Sequence, residues 1–168
     1  MIISIIYLIF SFILENIMSN VFTSTLSSIS CFTTIYTIIA LVVIYPYFYN
    51  YKKYYLLVLI FGLLFDILYT STFIFNMVIF LLIGIVIKIL NNIFPENIFM
   101  ANLISFISIV IYHILSYIIL TIMGYIDYSI ILLFRIIVHS IIMTVIYTSI
   151  SYLIIKGLYN KFGIKHIK

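Results

Sequence analysis

Little in this 168-residue chain is charged, and what is missing narrows its class quickly. Charged residues make up 7% of it, where a soluble domain averages about a quarter, so a water-facing surface of ordinary size cannot be built. Only four residues are acidic, Glu15, Asp66, Glu96 and Asp127, and they stand on separate segments. That is too few for a clustered, metal-holding carboxylate centre of lipid or polyprenyl chemistry. The lone cysteine, Cys31, excludes an intrachain disulfide. Three histidines, His113, His139 and His166, have no metal-ligand spacing. Tryptophan is absent. There is no His-Glu-x-x-His motif, no Gly-x-Ser-x-Gly elbow and no phosphate-binding glycine loop, so no cofactor and no catalytic residue is expected.

What is present is apolar. The chain is 67% hydrophobic with a mean hydropathy of +1.40, which requires lipid as the solvent for most of it. A crossing helix needs about 20 mainly apolar residues. On that measure six spans are expected, near residues 2–18, 31–48, 54–70, 73–90, 98–123 and 128–155, in a single membrane domain covering 1–168. The run from Tyr54 to Leu90 is too long for one crossing, and Thr70, Ser71 and Thr72 make the best turn. Asn50–Lys53 and Asn91–Asn97, with Pro95 as a helix stop, are loops. Gly124–Asp127 is a turn, and Ser19–Ser30 is an uncharged link. The apolar start has no basic residue and no cleavage-site pattern after it, so it reads as a retained helix.

The net charge of +4 has a direction. Lys52, Lys53, Lys88, Lys156, Lys161, Lys165 and Lys168 all fall on one side of a six-span topology, and the intervening turns on the other side carry no basic residue. By the positive-inside rule, the fold class is an all-α polytopic integral membrane protein. It is a six-transmembrane-helix bundle with cytoplasmic N and C termini. The lysines then meet anionic lipid rather than nucleic acid, for which no soluble basic module exists. Tyr45, Tyr47, Tyr49, Tyr51, Tyr54 and Tyr55 around Lys52 and Lys53 form an interfacial aromatic belt, and Pro46 ends or bends the second helix.

Charge within the apolar segments is the exception that points to a site. Asp66 lies roughly 6 Å, and Arg135 roughly 10 Å, from the external ends of their helices by the helical rise. Glu15 is near the external end of the first helix. An Asp66–Arg135 or Glu15–Arg135 ion pair that locks helix packing, or side chains that reach toward the headgroups, is therefore expected in preference to transport or catalysis. Gly62, one turn before Asp66, and Gly84 on the next helix allow close backbone approach, either within the bundle or toward a partner. His113 and His139 are expected to be hydrogen-bonded packing residues rather than a proton relay.

The run Phe61-Gly62-Leu63-Leu64-Phe65-Asp66-Ile67-Leu68-Tyr69 resembles the signature of the rod shape-determining protein MreD family, in which Gly-Leu-x-x-Asp is followed by apolar residues. After a short turn comes an apolar helix with a glycine, here Ile83-Gly84-Ile85. Chain length, six spans, Glu15 late in the first helix and the basic tail are also similar to that family. The sequence departs from it in lacking glycines just before the signature and soon after it.

The resemblance implies a non-enzymatic membrane subunit of the bacterial cell-shape and peptidoglycan elongation machinery. Its partners would be an MreC-like anchored protein, MreB, a RodA-type glycan polymerase and a penicillin-binding transpeptidase. The competing expectation is the substrate-binding S component of an energy-coupling-factor vitamin transporter, which is also a six-helix protein of this size. That class usually carries Ala-x-x-x-Ala in its first helix, whereas here the only alanines are Ala40 and Ala101.

Overall fold

Six helices, and no strand among the described residues, account for the architecture of the computed structural model, which describes residues 2–23, 34–70, 74–124 and 129–162. They are α1 (Ile2–Thr23), α2 (Tyr36–Ile44), α3 (Tyr51–Phe65), α4 (Phe75–Ile93), α5 (Ile98–Ile122) and α6 (Ile130–Lys161). A tight turn, Tyr45–Tyr47, with Pro46 in its first residues, ends α2. α3 widens into a π-helical turn over Asp66–Thr70. Compared with the expected spans, α1 and α6 run further at their C-terminal ends, and α3 starts earlier, at Tyr51, so that Lys52 and Lys53 lie within its first turn. Parts of the expected links fall outside the described residues: Ser71–Thr72, the Tyr125–Asp127 part of the last turn and residues 24–30 of the first. So do Cys31, His166, Lys165 and Lys168.

α4, α5 and α6 are each long and apolar enough to cross a membrane. The apolar parts of α1 (Ile2–Met18) and of α2 with its turn (Tyr36–Tyr47) are shorter. α2 sits at the centre. Every residue from Tyr36 to Ile44 is buried, as a helix that is hydrophobic on all sides requires. It packs against α1, α5 and α6, while α3 pairs with α4, α4 with α5, and α5 with α6. Small polar residues let α6 approach α2. Ser140, Thr144, Thr148 and Ser151 form a buried line at helical spacing. Thr34 Oγ1 donates to the Ser140 carbonyl at 2.9 Å and lies 3.1 Å from Thr144 Oγ1. Thr144 and Thr148 hydroxyls bond back to their own helix, so each needs no external partner.

α1 is tied to α6 by hydroxyls. Ser4 bonds Tyr159, Tyr7 donates to Ser151, and Ser11 Oγ lies 2.8 Å from Tyr147 Oη. The outer faces are the reverse of a soluble surface. Ile131, Phe134 and Ile142 on α6 are each more than half exposed, as are Ile2, Ile6 and Phe10 on α1.

The bundle has two chemically distinct ends. Lys88 places its ammonium 5.0 Å from the ring centre of Tyr51, next to Lys52 and Lys53. Tyr159 stacks on Tyr47 with ring centres 3.9 Å apart, which brings the end of α6, with Lys156 and Lys161, to the same place. The Ser4–Tyr159 bond adds the start of α1. All five lysines among the described residues therefore gather at one end, together with both ends of the described chain. The buried acids lie at the other.

Candidate functional site

At the end opposite the lysines, the first turns of α2 and α4 expose N–H donors that have no partner within their own helices. Away from water such donors must be satisfied. The usual remedy is a Ser, Thr, Asp or Asn at the N-cap. α3, α5 and α6 follow it: Asn50 accepts from Lys52 N, Asn97 from Met100 N and Ser129 from Leu132 N. α2 and α4 do not. Their N-caps are Ile35 and Ile74, neither of which has a side-chain cap.

For α4 the cap comes from α3. Asp66 is fully buried, and its two oxygens divide the work. Oδ1 accepts from Asn76 N at 2.8 Å and from Asn76 Nδ2 at 3.0 Å, while Oδ2 accepts from Met77 N at 3.0 Å. Asn76, also fully buried, in turn accepts from the Tyr112 hydroxyl at 2.8 Å, which carries the network on to α5. The carboxyl group therefore sits on the positive end of the α4 dipole, where negative charge is favoured.

Gly62 makes this geometry possible. A Cβ there would stand 2.8 Å from Met77 Cα and 3.2 Å from the Asn76 carbonyl oxygen, both backbone atoms. Only glycine lets α3 come close enough for Asp66 to reach the α4 terminus. At Gly84 the equivalent contacts are ordinary, 3.4 Å to the Val58 methyls. Both glycines are buried where α3 meets α4, so the seam they form is internal to the chain.

Glu15 repeats the arrangement one hairpin earlier. It is 7% exposed, and its Oε2 accepts from Thr37 N at 3.2 Å and from the Thr37 hydroxyl, in the first turn of α2. Each buried acid thus lies late in one helix and caps the helix that follows it. Around them, Phe12 packs edge-on against Phe61 and Tyr69, and the Tyr69 hydroxyl donates to the Phe12 carbonyl at 2.8 Å, joining the two hairpins.

Of the three residues expected to exchange charge, Glu15 and Asp66 thus meet amide and hydroxyl donors, while Arg135 is exposed on α6. A carboxylate that already faces a helix N-terminus does not depend on a guanidinium to remain buried. His113 and His139 are half-buried on α5 and α6. No group of three or more His, Cys, Asp or Glu residues placed to hold a metal occurs among the described residues. Thr37, Asn76 and Tyr112 were not singled out by the sequence. Asn76 carried the best signal, as an amide in an apolar segment ten residues beyond Asp66.

At the lysine end a cleft of about 670 Å³ opens between the Tyr45–Tyr51 stretch and the Asn91–Glu96 stretch. Tyr45 and Tyr51 form part of its wall with stacked rings, their centres 6.1 Å apart, and Glu96 contributes a carboxylate. A narrow crevice of about 20 Å³, lined by Val42, Met100, Ile104 and Tyr152 among others, continues inward and shares Pro46, Asn91, Pro95 and Glu96 with the mouth.

No protein-family model matches the chain, and neither a curated protein nor a solved structure matches it.

Proposed function

We propose that the chain is a non-enzymatic, multi-pass scaffold of a cytoplasmic membrane, crossing six times with both termini and the lysine end in the cytoplasm. The lysine segregation supports this orientation, because short basic connections are retained on the cytoplasmic side. The exposed isoleucines and phenylalanines of α1 and α6 would face lipid.

Within that class, we infer a role as the MreD-like membrane subunit of the bacterial cell-shape and peptidoglycan elongation complex. It would be a docking platform for an MreC-like protein and, through it, for MreB, a RodA-type polymerase and a penicillin-binding transpeptidase. The observation that carries this reading is the role of the Gly62–Asp66 stretch. The nine residues that resemble the family signature form one working unit, in which a glycine seats α4 and an acid caps it. Both buried acids are engaged in holding helices, which suits a rigid platform better than a membrane catalyst.

The test is affinity purification of the full chain from its native membrane under mild detergent. An MreC-like protein with one membrane anchor should be recovered with it. Recovery of a transport ATPase module and a tightly bound vitamin, with no wall-synthesis protein, would overturn the reading in favour of a vitamin-binding transporter subunit.

A further inference from the structure

The cleft at the lysine end has a chemistry that the scaffold role does not use. Its volume falls in the range of about 300–1,000 Å³ typical of small-molecule sites. Its wall mixes aromatic rings, among them Tyr45, Tyr49 and Tyr51, with the amides of Asn91 and Asn92, and Glu96 is the acid among them. Glu96 is also the only carboxylate at this end among the described residues, since Glu15 and Asp66 cap helices at the other. Aromatic faces beside a carboxylate suit an organic ammonium group. Tyr51 already accepts one cation, the Lys88 ammonium, 5.0 Å from its ring centre. The cleft therefore has a carboxyl group in its lining and an ammonium group beside one of its rings.

We propose that this cleft binds the headgroup of an aminophospholipid, a primary ammonium joined by a short linker to a phosphate. The ammonium enters among the tyrosine rings toward Glu96, and the phosphate stays at the rim with Lys88. The inner crevice, about 20 Å³, is too small for an acyl chain, so only the headgroup enters and the tails remain in the bilayer. Of the tyrosines expected as an interfacial belt, Tyr45, Tyr47 and Tyr54 are buried in the core instead, but Tyr49 and Tyr51 are exposed beside Lys52 and Lys53. A lipid is favoured over a soluble ligand because the cleft opens at these residue types, which are enriched at the membrane–water boundary. The inference rests on the bilayer placement proposed above and is independent of any role in wall synthesis.

The test uses the full chain in nanodiscs of equal parts phosphatidylethanolamine and phosphatidylglycerol. A water-soluble carbodiimide couples an activated carboxylate to a primary amine held beside it, and peptide mapping locates the product. The expected result is a phosphatidylethanolamine adduct on Glu96. In native mass spectrometry, retention of that lipid over phosphatidylglycerol should fall about fivefold in Glu96→Gln, a loss of the size set by one cation contact. Lys88→Met instead removes a contact to the phosphate that both lipids carry and should lower retention of both with their ratio unchanged. The thermal unfolding midpoint of each variant is read alongside, so that loss of lipid is scored only on folded protein.

Equal retention of the two lipids, or no adduct on Glu96, would overturn the proposal. So would a Glu96 cross-link to a lysine of a co-purifying polypeptide, which would make the cleft a protein-docking site. Free phosphoethanolamine that competes as well as the intact lipid would show that the ligand is water-soluble. The bilayer placement is read separately, by labelling from outside the cell, so its failure is distinguishable from failure at the cleft.

Discussion

Asp66 bonds with both oxygens, and Glu15 with one, and this sets how each tolerates change. Asp66→Asn keeps a single acceptor oxygen and turns an NH2 group toward a backbone donor. It should cost about 1–3 kcal/mol, the penalty of a buried donor left unmatched. Both Thr37 bonds to Glu15 converge on Oε2, which the amide oxygen of glutamine can replace, so Glu15→Gln should cost less than about 1 kcal/mol. Thermal unfolding of the two variants in one detergent measures the difference, and a larger loss for Glu15→Gln would contradict the capping assignment. The two glycines separate in the same way. Gly62→Ala drives a methyl against the α4 backbone and should cost about 1–3 kcal/mol, as overpacking does. Gly84→Ala meets only methyls and a ring at ordinary distance and should stay within about 0.5 kcal/mol of the parent. These residues stood out in the sequence, because an acid or a glycine in an apolar run is conspicuous, although only Gly62 of the two glycines meets the α4 backbone. What they touch was not legible there. Backbone N–H groups at a helix start leave no trace in an inventory of side chains, so charge alone suggested Arg135 or the lipid headgroups as partners.

Among the helices, α2 and α4 are the two whose first turn depends on a residue from the preceding helix. α4 also begins under strain. Ile74, its N-cap, has φ of 69°, in the left-handed region that costs a residue with a side chain about 1–2 kcal/mol. Glycine removes that cost and returns part of it as chain entropy, so Ile74→Gly should raise stability by about 0.5–1 kcal/mol. A fall in the unfolding midpoint would show that Ile74 is held by packing rather than by the Asp66 cap. The helices themselves were legible, because apolar runs separated by Asn, Pro and Lys leave few alternatives. Their ends were less so. α3 starts at Tyr51 because Asn50 caps it, and a rule that keeps lysines out of spans could not see that start. The π-helical turn over Asp66–Thr70 begins at the acid that must reach across to α4, and nothing in residue type marks it.

At the scale of the whole molecule, the segregation of charge is the dominant fact. Five described lysines lie at one end, the helix-capping carboxylates at the other, and a buried apolar helix, α2, runs between them. This polarity follows from spacing along the chain, since each pair of apolar runs returns the next lysine to the same side. The cleft at that end was not foreseeable, because it combines two connections, Tyr45–Tyr51 and Asn91–Glu96, that two helices separate along the chain. The most direct test is to label single-cysteine variants in intact cells with a membrane-impermeant maleimide, in a Cys31→Ser background. Met123→Cys, exposed at the end of α5, should react, while Lys53→Cys, Asn92→Cys and Lys161→Cys should react only after the cells are opened. Labelling of the three lysine-end positions from outside, with Met123→Cys protected, would contradict the account.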